Sequence, residues 1–481
     1  MPPGESKRDR PRFAVLGGGI TGLAAAHRLF ELSRDHRRPI DLRLFEESDR
    51  LGGVIRTSMR DGFTIEHGPD SFLSEKPAAL ALCERLGITG RLTGTQEQFR
   101  RTYVAFGGHL HPLPDGFSLM APTRLAPLAT SRLFTLRGKM RMAMDLVLPR
   151  RTIADESLAS FVTRRLGHEA LERVAQPLVG GIYTADPTTL SLAATMPRFT
   201  QLERDHGSII RGLRAESANS LATRQASGAR WSLFLSLAGG LEGLVDALRL
   251  RLPGSGIEYR RAVRAVGQRG TSWQIDGGET FDGMIIALPA PVAGRLLRGV
   301  DPALAADLEA IRYASSAVVN LAYPREAIPN PLDGFGFVVP HVEGRKIIAC
   351  SYSSMKYAGR APAGFALLRV FVGGALRAEL ADLSDDEMTG AVRAELADLL
   401  GIQSAPLFAV VSRYPGSMPQ YELGHLQRLS RIEGRLQRHG QLQLAGNGYR
   451  GVGIPDCIAS GERAAEALFS HVASGRANVA A

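Results

Sequence analysis

Four glycines near the start of the chain have the spacing of a dinucleotide-binding turn. The run Gly17-Gly18-Gly19-Ile20-Thr21-Gly22 follows an apolar segment, Arg12 to Leu16, and precedes a segment rich in alanine and leucine. Glycines at these positions allow a sharp turn after a strand, the approach of backbone N–H groups to a pyrophosphate, and close packing of the following helix. The positive end of that helix would face the phosphates.

An acidic residue after the next predicted strand narrows the choice of nucleotide. Asp41 to Phe45 alternates like a strand and is followed by Glu46, which is placed to accept hydrogen bonds from an unphosphorylated ribose. Asp49-Arg50-Leu51-Gly52-Gly53 comes directly afterwards and resembles the second glycine element of FAD-dependent oxidases. Together these features favour FAD over NAD, and over a glycine-rich turn in an ordinary α/β protein.

Composition and charge exclude several classes of protein. The chain has 481 residues, of which 44% are hydrophobic, enough for two or three domains. The net charge is +10, but the basic residues are nearly all arginine and are not interleaved with aromatic residues, which argues against nucleic-acid binding. No apolar run reaches the roughly eighteen residues of a membrane span. Three separated cysteines predict a reducing, cytoplasmic location and no structural metal.

The elements that position the glycines are scattered along the chain. Apolar segments at Phe281 to Leu288 and Leu442 to Ala445 are predicted to return to the first sheet. The predicted fold class is therefore α/β, with a discontinuous FAD-binding Rossmann-type domain, an inserted antiparallel-sheet substrate domain and a helical block. The FAD domain is assigned to 11–75, 231–300 and 436–474, the helical block to 112–217, and the substrate domain to 76–111, 218–230 and 301–435.

One segment of the predicted helical block allows two interpretations. Residues 117–151 interleave apolar and basic side chains, which is typical either of a basic surface that lies on a membrane or of helices that pack on their own domain. We give these two interpretations equal weight. The polar ends, Met1 to Arg10 and Gly475 to Ala481, are predicted to be disordered.

Two further loops are candidates for contact with the flavin. Phe63 to Phe72 breaks at Gly68-Pro69 and is either a plain turn or a loop along the flavin edge. Gly448 to Asp456 aims a helix N-terminus at the crevice, where it would stabilise negative charge on a reduced flavin. Cys457 is interpreted as a small core residue. No catalytic residue and no metal ligand is predicted, because no nucleophile set, carboxylate pair or metal cluster stands out, so the chemistry belongs to the cofactor.

Several motifs together resemble the protoporphyrinogen and coproporphyrinogen oxidases of haem synthesis over nearly the whole chain. They are the glycine run 17–22, Leu51-Gly52-Gly53, Gly68-Pro69-Asp70-Ser71-Phe72, residues 178–187, residues 419–425 and residues 451–458. The resemblance implies an amine-oxidase-like fold and oxidation of a porphyrinogen to a porphyrin by repeated hydride transfer to FAD, with O2 as the final acceptor. A peripheral membrane contact and a homodimer are further expectations.

The resemblance also implies site residues, position by position. The expected FAD contacts are Gly17, Gly18, Gly19, Ile20, Thr21, Gly22, Glu46, Glu47, Gly52, Gly53, Val54, Gly68, Pro69, Asp70, Ser71, Val263, Val452, Gly453 and Ile454. The expected substrate contacts are Lys76, Arg101, Gly181, Thr184, Phe335, Gly336 and Val338. A porphyrinogen is an apolar macrocycle fringed with carboxylates, and Lys76 and Arg101 are the predicted cations at its rim.

Other functions remain open at this point. A flavin amine oxidase or carotenoid desaturase would share the fold, and a flavin or porphyrin carrier would bind without turnover. The aromatic content of 6% argues against the aromatic cage of an amine oxidase. Between the two porphyrinogens the sequence does not decide, although Lys76 after the Gly68 loop favours coproporphyrinogen III with its four propionates.

Overall fold

The computed structural model describes residues 10–151, 153–217 and 232–479. The predicted substrate-domain segment 218–230 and most of the predicted N-terminal tail, residues 1–9, lie outside the described residues. The last helix, Ile454–Val479, runs past Gly475, so the prediction of disorder from that residue is wrong as far as Val479. Adding a residue to an existing helix requires no new nucleation and costs little free energy, which explains why the helix continues past Gly475.

A five-stranded parallel sheet carries the glycine run at its centre. The first strand pairs in parallel with strands from distant parts of the chain, which confirms the predicted discontinuous Rossmann-type arrangement. Its last residue, Leu16, lies beside Phe45 on one side and Ile286 on the other. Across the sheet the strands are Ile257–Glu258, Asp41–Phe45, Arg12–Leu16, Gly283–Ile286 and Leu442–Leu444.

Helices cover both faces of this sheet. Ile20–Asp35 packs along Ile454–Val479, and Gly461 permits the contact because a Cβ there would overlap the carbonyl oxygen of Thr21. The same core includes Pro77–Leu86, which the predicted boundary places in the substrate domain. Other helices here are Glu242–Arg251, Ala290–Leu297, Pro302–Glu309 and His425–Leu436, the last three against the opposite face.

A seven-stranded sheet forms the second layer. It is antiparallel except where Gly336–Val338 runs parallel to Thr102–Phe106. Helix Asp385–Leu400 covers one face, beginning at a capping box between Ser384 and Glu387. The strand pairing confirms the predicted antiparallel sheet of the substrate domain. The order of strands is Phe408–Pro419, Tyr313–Pro324, Phe365–Gly373, Ala349–Tyr352, Gly336–Val338, Thr102–Phe106 and His109–Pro112.

A helical block packs on the other face of the seven-stranded sheet, where Val338 and Ala349 join its core. Arg165 is fully buried inside the block and pairs with Asp145 at 2.5 Å. Within the described part of the chain, no helix has both the length and the hydropathy needed to cross a membrane. The helices are Leu125–Thr130, Leu136–Ala143, Leu158–Arg165, His168–Ala170, Gln176–Tyr183, Leu192–Thr195, Pro197–His206 and 209–217.

Small sheets complete the described structure. Thr57–Arg60 pairs with Phe63–Glu66, and together they lead into the Gly68 loop. The other short strands are Phe72–Leu73, Phe234–Leu237 and Leu92–Gly94 in one sheet, Val266–Arg269, Ser272–Ile275 and Thr280–Phe281 in another, and Phe117–Ser118 with Ala121–Pro122 in a third.

Candidate cofactor and substrate site

The glycine run forms a turn that tolerates no side chain at two of its positions. Gly17 has a φ of +104°, and a Cβ there would lie 2.7 Å from the carbonyl oxygen of Ala287. A Cβ on Gly22 would overlap the carbonyl oxygen of Gly17. Gly19 differs, because a Cβ there would meet nothing within 4 Å. Gly19 is the N-cap residue of helix Ile20–Asp35, and no side chain forms a capping hydrogen bond there. The turn therefore leaves open space in front of free N–H groups, as a phosphate requires.

Glu46 lies directly beside this turn. Its Oε2 accepts a hydrogen bond from the backbone N–H of Gly18 at 2.7 Å. Its Oε1 accepts from both the N–H and the hydroxyl of Ser48, at 2.9 and 2.7 Å. The carboxylate is half-buried, and its contacts fix it next to the opening at Gly19. This is the position from which an acidic residue binds a ribose.

The second glycine element packs on the first. The N–H of Gly52 donates to the carbonyl oxygen of Gly18 at 2.8 Å, and a Cβ on Gly53 would lie 3.3 Å from the Cα of Gly19. The guanidinium of Arg50 donates to the backbone carbonyls of this turn. The two glycine elements thus form one continuous backbone surface without bulky side chains, which fits the pyrophosphate of a dinucleotide.

The Gly68 loop packs on the second glycine element. A Cβ on Gly68 would overlap the carbonyl oxygen of Val54, so only glycine allows this approach. Asp70 follows in the loop, is buried, and pairs with Lys356 at 3.0 Å and with Arg369 at 3.5 Å. Burial alone would raise the pKa of Asp70, but the charges of Lys356 and Arg369 outweigh it and hold that pKa below its usual range.

A second buried pair lies next to Asp70. Glu66 pairs with Arg360 at 2.9 Å, and burial raises the pKa of Glu66 despite this cation. Arg369 also donates to the carbonyl oxygen of Gly68. Three cations therefore face two carboxylates behind the loop. The sequence did not predict Lys356 or Arg369; the one available signal was that Lys356 is among only five lysines in the chain.

The loop before the last helix is held by Tyr421. Its hydroxyl accepts from the N–H of Gly451 at 2.9 Å and donates to the carbonyl oxygen of Asn447. The ring stacks on His425, with 4.2 Å between ring centroids. His425 is fully buried and its Nε2 bonds the carbonyl oxygen of Tyr449 at 2.9 Å. Burial lowers the pKa of His425, so the ring is neutral at pH 7.

Three further predicted cofactor residues, Glu47, Val263 and Val452, lie in loops of the described chain. Arg261 donates its N–H to the carbonyl oxygen of Glu46 at 2.8 Å, which brings Val263 to the end of the second strand. Val452 is half-buried and Glu47 is exposed. Cys457 is buried, and burial raises the pKa of its thiol to about 11, as expected for a core residue.

Both predicted rim cations are already paired. Lys76 Nζ lies 2.7 Å from Asp456, which also accepts from the N–H of Gly453 at the start of the last helix. Arg101 lies 3.2 Å from Asp333 and its side chain is 67% exposed. Their role toward a substrate stays a prediction.

Other predicted substrate residues meet where the helical block joins the seven-stranded sheet. Gly336 has a φ of +135°, and a Cβ there would overlap the carbonyl oxygen of Cys350. Val338, in the same strand, packs in the core that contains Tyr183. Thr184 ends the helix Gln176–Tyr183 in the left-handed region, with a φ of 47°. Gly181 is exposed on that helix, and Phe335 is half-buried before the strand.

Comparison with known proteins identifies relatives over the full length. The family model described as flavin containing amine oxidoreductase matches residues 20–469. The chain is 35% identical to the coproporphyrinogen III oxidase of Bacillus subtilis (strain 168), covering 97% of this chain and 99% of that protein. It is 34% identical to the protoporphyrinogen oxidase of Homo sapiens, covering 95% and 98%.

Solved structures agree with this relationship. A putative protoporphyrinogen oxidase from Exiguobacterium superposes with a TM-score of 0.84 at 30% identity, covering 97% of this chain and 99% of that one. Cyclohexylamine oxidase from Brevibacterium oxydans reaches 0.68 at 16% identity, covering 96% and 99%, which shows the shared fold alone. The resemblance inferred from the motifs is confirmed. The chain belongs to the flavin containing amine oxidoreductases and is an enzyme with a flavin cofactor.

Proposed function

We propose that this protein oxidises a porphyrinogen, coproporphyrinogen III or protoporphyrinogen IX, to the porphyrin in haem synthesis, with FAD as cofactor and O2 as acceptor. The observation that carries the proposal is the near-full-length similarity to enzymes named for these two reactions. Amine oxidases share the fold at much lower identity, which supports the porphyrinogen over an amine as substrate.

The choice of FAD rests on the residues around the open turn. Open space at Gly19 leaves the N-terminus of helix Ile20–Asp35 accessible to a pyrophosphate, and Glu46, held by the N–H of Gly18, is fixed where the ribose hydroxyls of an adenosine would lie. When bound, a flavin supplies hydride acceptance and re-oxidation by O2. Lys356 and Arg369 place positive charge behind the Gly68 loop, which favours a cofactor that gains negative charge on reduction.

The chain's own groups in the site bind and orient rather than exchange protons. Burial, with the nearby charge of Asp456, raises the pKa of Tyr183 to about 12, so its phenol stays neutral at pH 7. His425 is neutral as well and is committed to the carbonyl of Tyr449. We therefore assign no catalytic residue among them.

The direct test is an aerobic fluorescence assay on purified, FAD-loaded protein with each porphyrinogen. We expect porphyrin formation from at least one of them, and the ratio of the two kcat/KM values gives the preferred substrate. In a parallel anaerobic experiment, substrate should bleach the flavin absorbance and admission of air should restore it. Binding without bleaching would support a carrier, and oxidation of an amine or a carotenoid precursor in place of both porphyrinogens would overturn the proposal.

We also propose that the helical block touches an anionic membrane surface. Leu136, Met140 and Met144 lie four residues apart and are 72%, 55% and 46% exposed, and Val147 is 78% exposed. Met142, on the other side of the same helix, is fully buried in the block. The exposed row fits the interpretation as a membrane surface, and the buried Met142 fits the interpretation as a helix that packs on its own domain. An apolar row within a basic segment is typical of helices that lie in a membrane interface.

Two further expectations keep the status of predictions. A homodimer would be detected by sedimentation velocity at micromolar concentration. A cytoplasmic location at the inner face of the membrane would be tested by cell fractionation. The vesicle experiment discussed below isolates the membrane contact.

A further inference from the structure

A cavity opens between the helical block and the ends of three inner strands of the seven-stranded sheet, Gly336–Val338, Ala349–Tyr352 and Phe365–Gly373. Helix Gln176–Tyr183 forms one side, with Gly180 and Thr184 facing the cavity. Much of the opposite wall is apolar and includes Val339 and Ile347. Among the described residues that line it there is no Asp or Glu, whereas three are cationic, namely Arg345, Lys346 and Arg377. Apolar walls with only positive charge suit an apolar ligand that carries carboxylates.

Two of these three cationic side chains lack acidic partners. The guanidinium of Arg345 is held by Glu395 at 2.7 Å and Asp398 at 2.6 Å. Lys346 and Arg377 form no ion pair with any residue in the described ranges. Lys346 is exposed and Arg377 is half-buried at the cavity wall. An unpaired cation can bind a carboxylate without first giving up an existing partner.

The cavity is connected to the flavin side of the site. The carbonyl oxygen of Thr184 accepts from the N–H of Ala375 at 2.7 Å, which fixes the loop that carries Arg377 to the end of the helix. The neighbouring residue, Tyr183, packs on Tyr421, with 6.4 Å between ring centroids. Tyr421 in turn holds the loop before the last helix. One short helix end therefore separates the basic cavity from the residues expected to contact the flavin.

We propose that Lys346 and Arg377 bind propionate carboxylates of the substrate and make the site selective for a porphyrinogen with four propionates over one with two. This inference rests on the proposed function and adds a specificity site to it. The rim cations predicted from the sequence, Lys76 and Arg101, would have to leave Asp456 and Asp333 to do the same. Arginine and lysine in one cavity can reach carboxylates on different arms of a macrocycle.

The test compares Lys346→Gln, Arg377→Gln and the double variant in the FAD-loaded protein. For coproporphyrinogen III, we expect KM to rise about tenfold in each single variant, since loss of one good charged contact weakens binding by about that factor, and to rise further in the double variant. We expect kcat to change less than about twofold and KM for protoporphyrinogen IX to rise less than about threefold. Fluorescence titration of the oxidised protein with coproporphyrin III should give a parallel loss of affinity.

Arg34→Gln is the matched control, because Arg34 is an exposed arginine, 74% accessible, at the far end of helix Ile20–Asp35. It should leave all constants unchanged. If the double variant keeps KM and Kd for the four-carboxylate ligands within twofold of the parent, or raises KM equally for both porphyrinogens, the inference is overturned. Both outcomes leave the proposed function intact, since the parent still turns over. Absence of turnover in the parent defeats the proposed function, and the titration then decides the cavity's role alone.

Discussion

Two glycines in the same turn have separate physical reasons to be glycine. Gly22 is required by the fold itself, because its Cβ would overlap the carbonyl oxygen of Gly17. Gly19 has a φ of −68°, which any residue adopts, and its Cβ would meet open space. Only a ligand in that space explains why a side chain would be harmful there. Gly22 is therefore expected to affect the stability of the fold, and Gly19 the binding of the cofactor.

Alanine substitutions exploit this difference. Gly22→Ala should destabilise the apoprotein by about 1–3 kcal/mol, because the turn must open around the new methyl group. Gly19→Ala should change stability by less than about 1 kcal/mol but weaken FAD binding at least about tenfold, because the methyl group blocks close approach of the phosphates. Urea denaturation of the apoprotein and FAD titration measure the two effects. Wild-type FAD affinity in Gly19→Ala would refute the proposed contact.

At the scale of elements, sequence patterns correctly predicted strands of the parallel sheet and the return of later segments of the chain to that sheet. Alternation and glycine spacing are local properties, and they indicated the first two strands of the parallel sheet and the later strands that return to it. Ion pairs between distant segments carry no local pattern. Asp70 was predicted at the flavin edge, but its partner Lys356 lies 286 residues away, at the end of the short helix Ser353–Lys356 that follows a strand of the second sheet.

The same limit explains the uncertain substrate residues. Lys76 and Arg101 were predicted as rim cations, and each lies beside an acid contributed by a distant element, a pairing that the sequence did not indicate. Lys346 and Lys356 were not predicted, because no local pattern in the sequence links either of these rare lysines to the site. Three of the five lysines, at positions 76, 346 and 356, lie in or beside the site. The small number of lysines in the chain was therefore the one sequence feature that pointed to these positions.

The apolar row on helix Leu136–Ala143 and the following turn makes a prediction at this scale. Leu136→Glu with Val147→Glu should remove most binding to vesicles rich in anionic lipid, because two exposed apolar side chains that would enter the lipid are replaced by charges of the same sign as the lipid. Vesicle co-sedimentation measures the bound fraction. Leu250→Glu is the control, since Leu250 is 75% exposed on helix Glu242–Arg251. Equal binding by the double variant and the parent would eliminate the proposed membrane contact.

At the scale of the whole molecule, buried charged pairs join separate layers. Asp70 and Glu66, next to the glycine elements, pair with Lys356, Arg369 and Arg360 of the second layer. Removing one partner of such a pair typically costs about 3–5 kcal/mol, because the other charge is left buried and uncompensated. The contact between layers is therefore specific, and it holds the predicted flavin edge against the predicted substrate sheet.

Buried histidines make the stability of the molecule depend on pH. Burial lowers the pKa of His27, His67 and His425, with nearby arginine charges contributing in each case. The unfolded chain, with histidine pKa values near 6.5, binds more protons than the folded chain below that pH. Their contribution is therefore complete above about pH 6.5 and is lost as the pH falls toward the lowered values, by up to about 1.4 kcal/mol per pH unit for each histidine.

We therefore expect Tm to fall between pH 7 and pH 5, and His425→Asn to make that decline shallower even though it lowers Tm at pH 7 through the lost stacking on Tyr421. Differential scanning calorimetry across this range measures both effects. His109→Gln is the matched control, because His109 is exposed in the strand His109–Pro112. A decline as steep in His425→Asn as in the parent would mean that protonation of this ring does not limit stability, and the acid sensitivity would then have to come from His27 and His67.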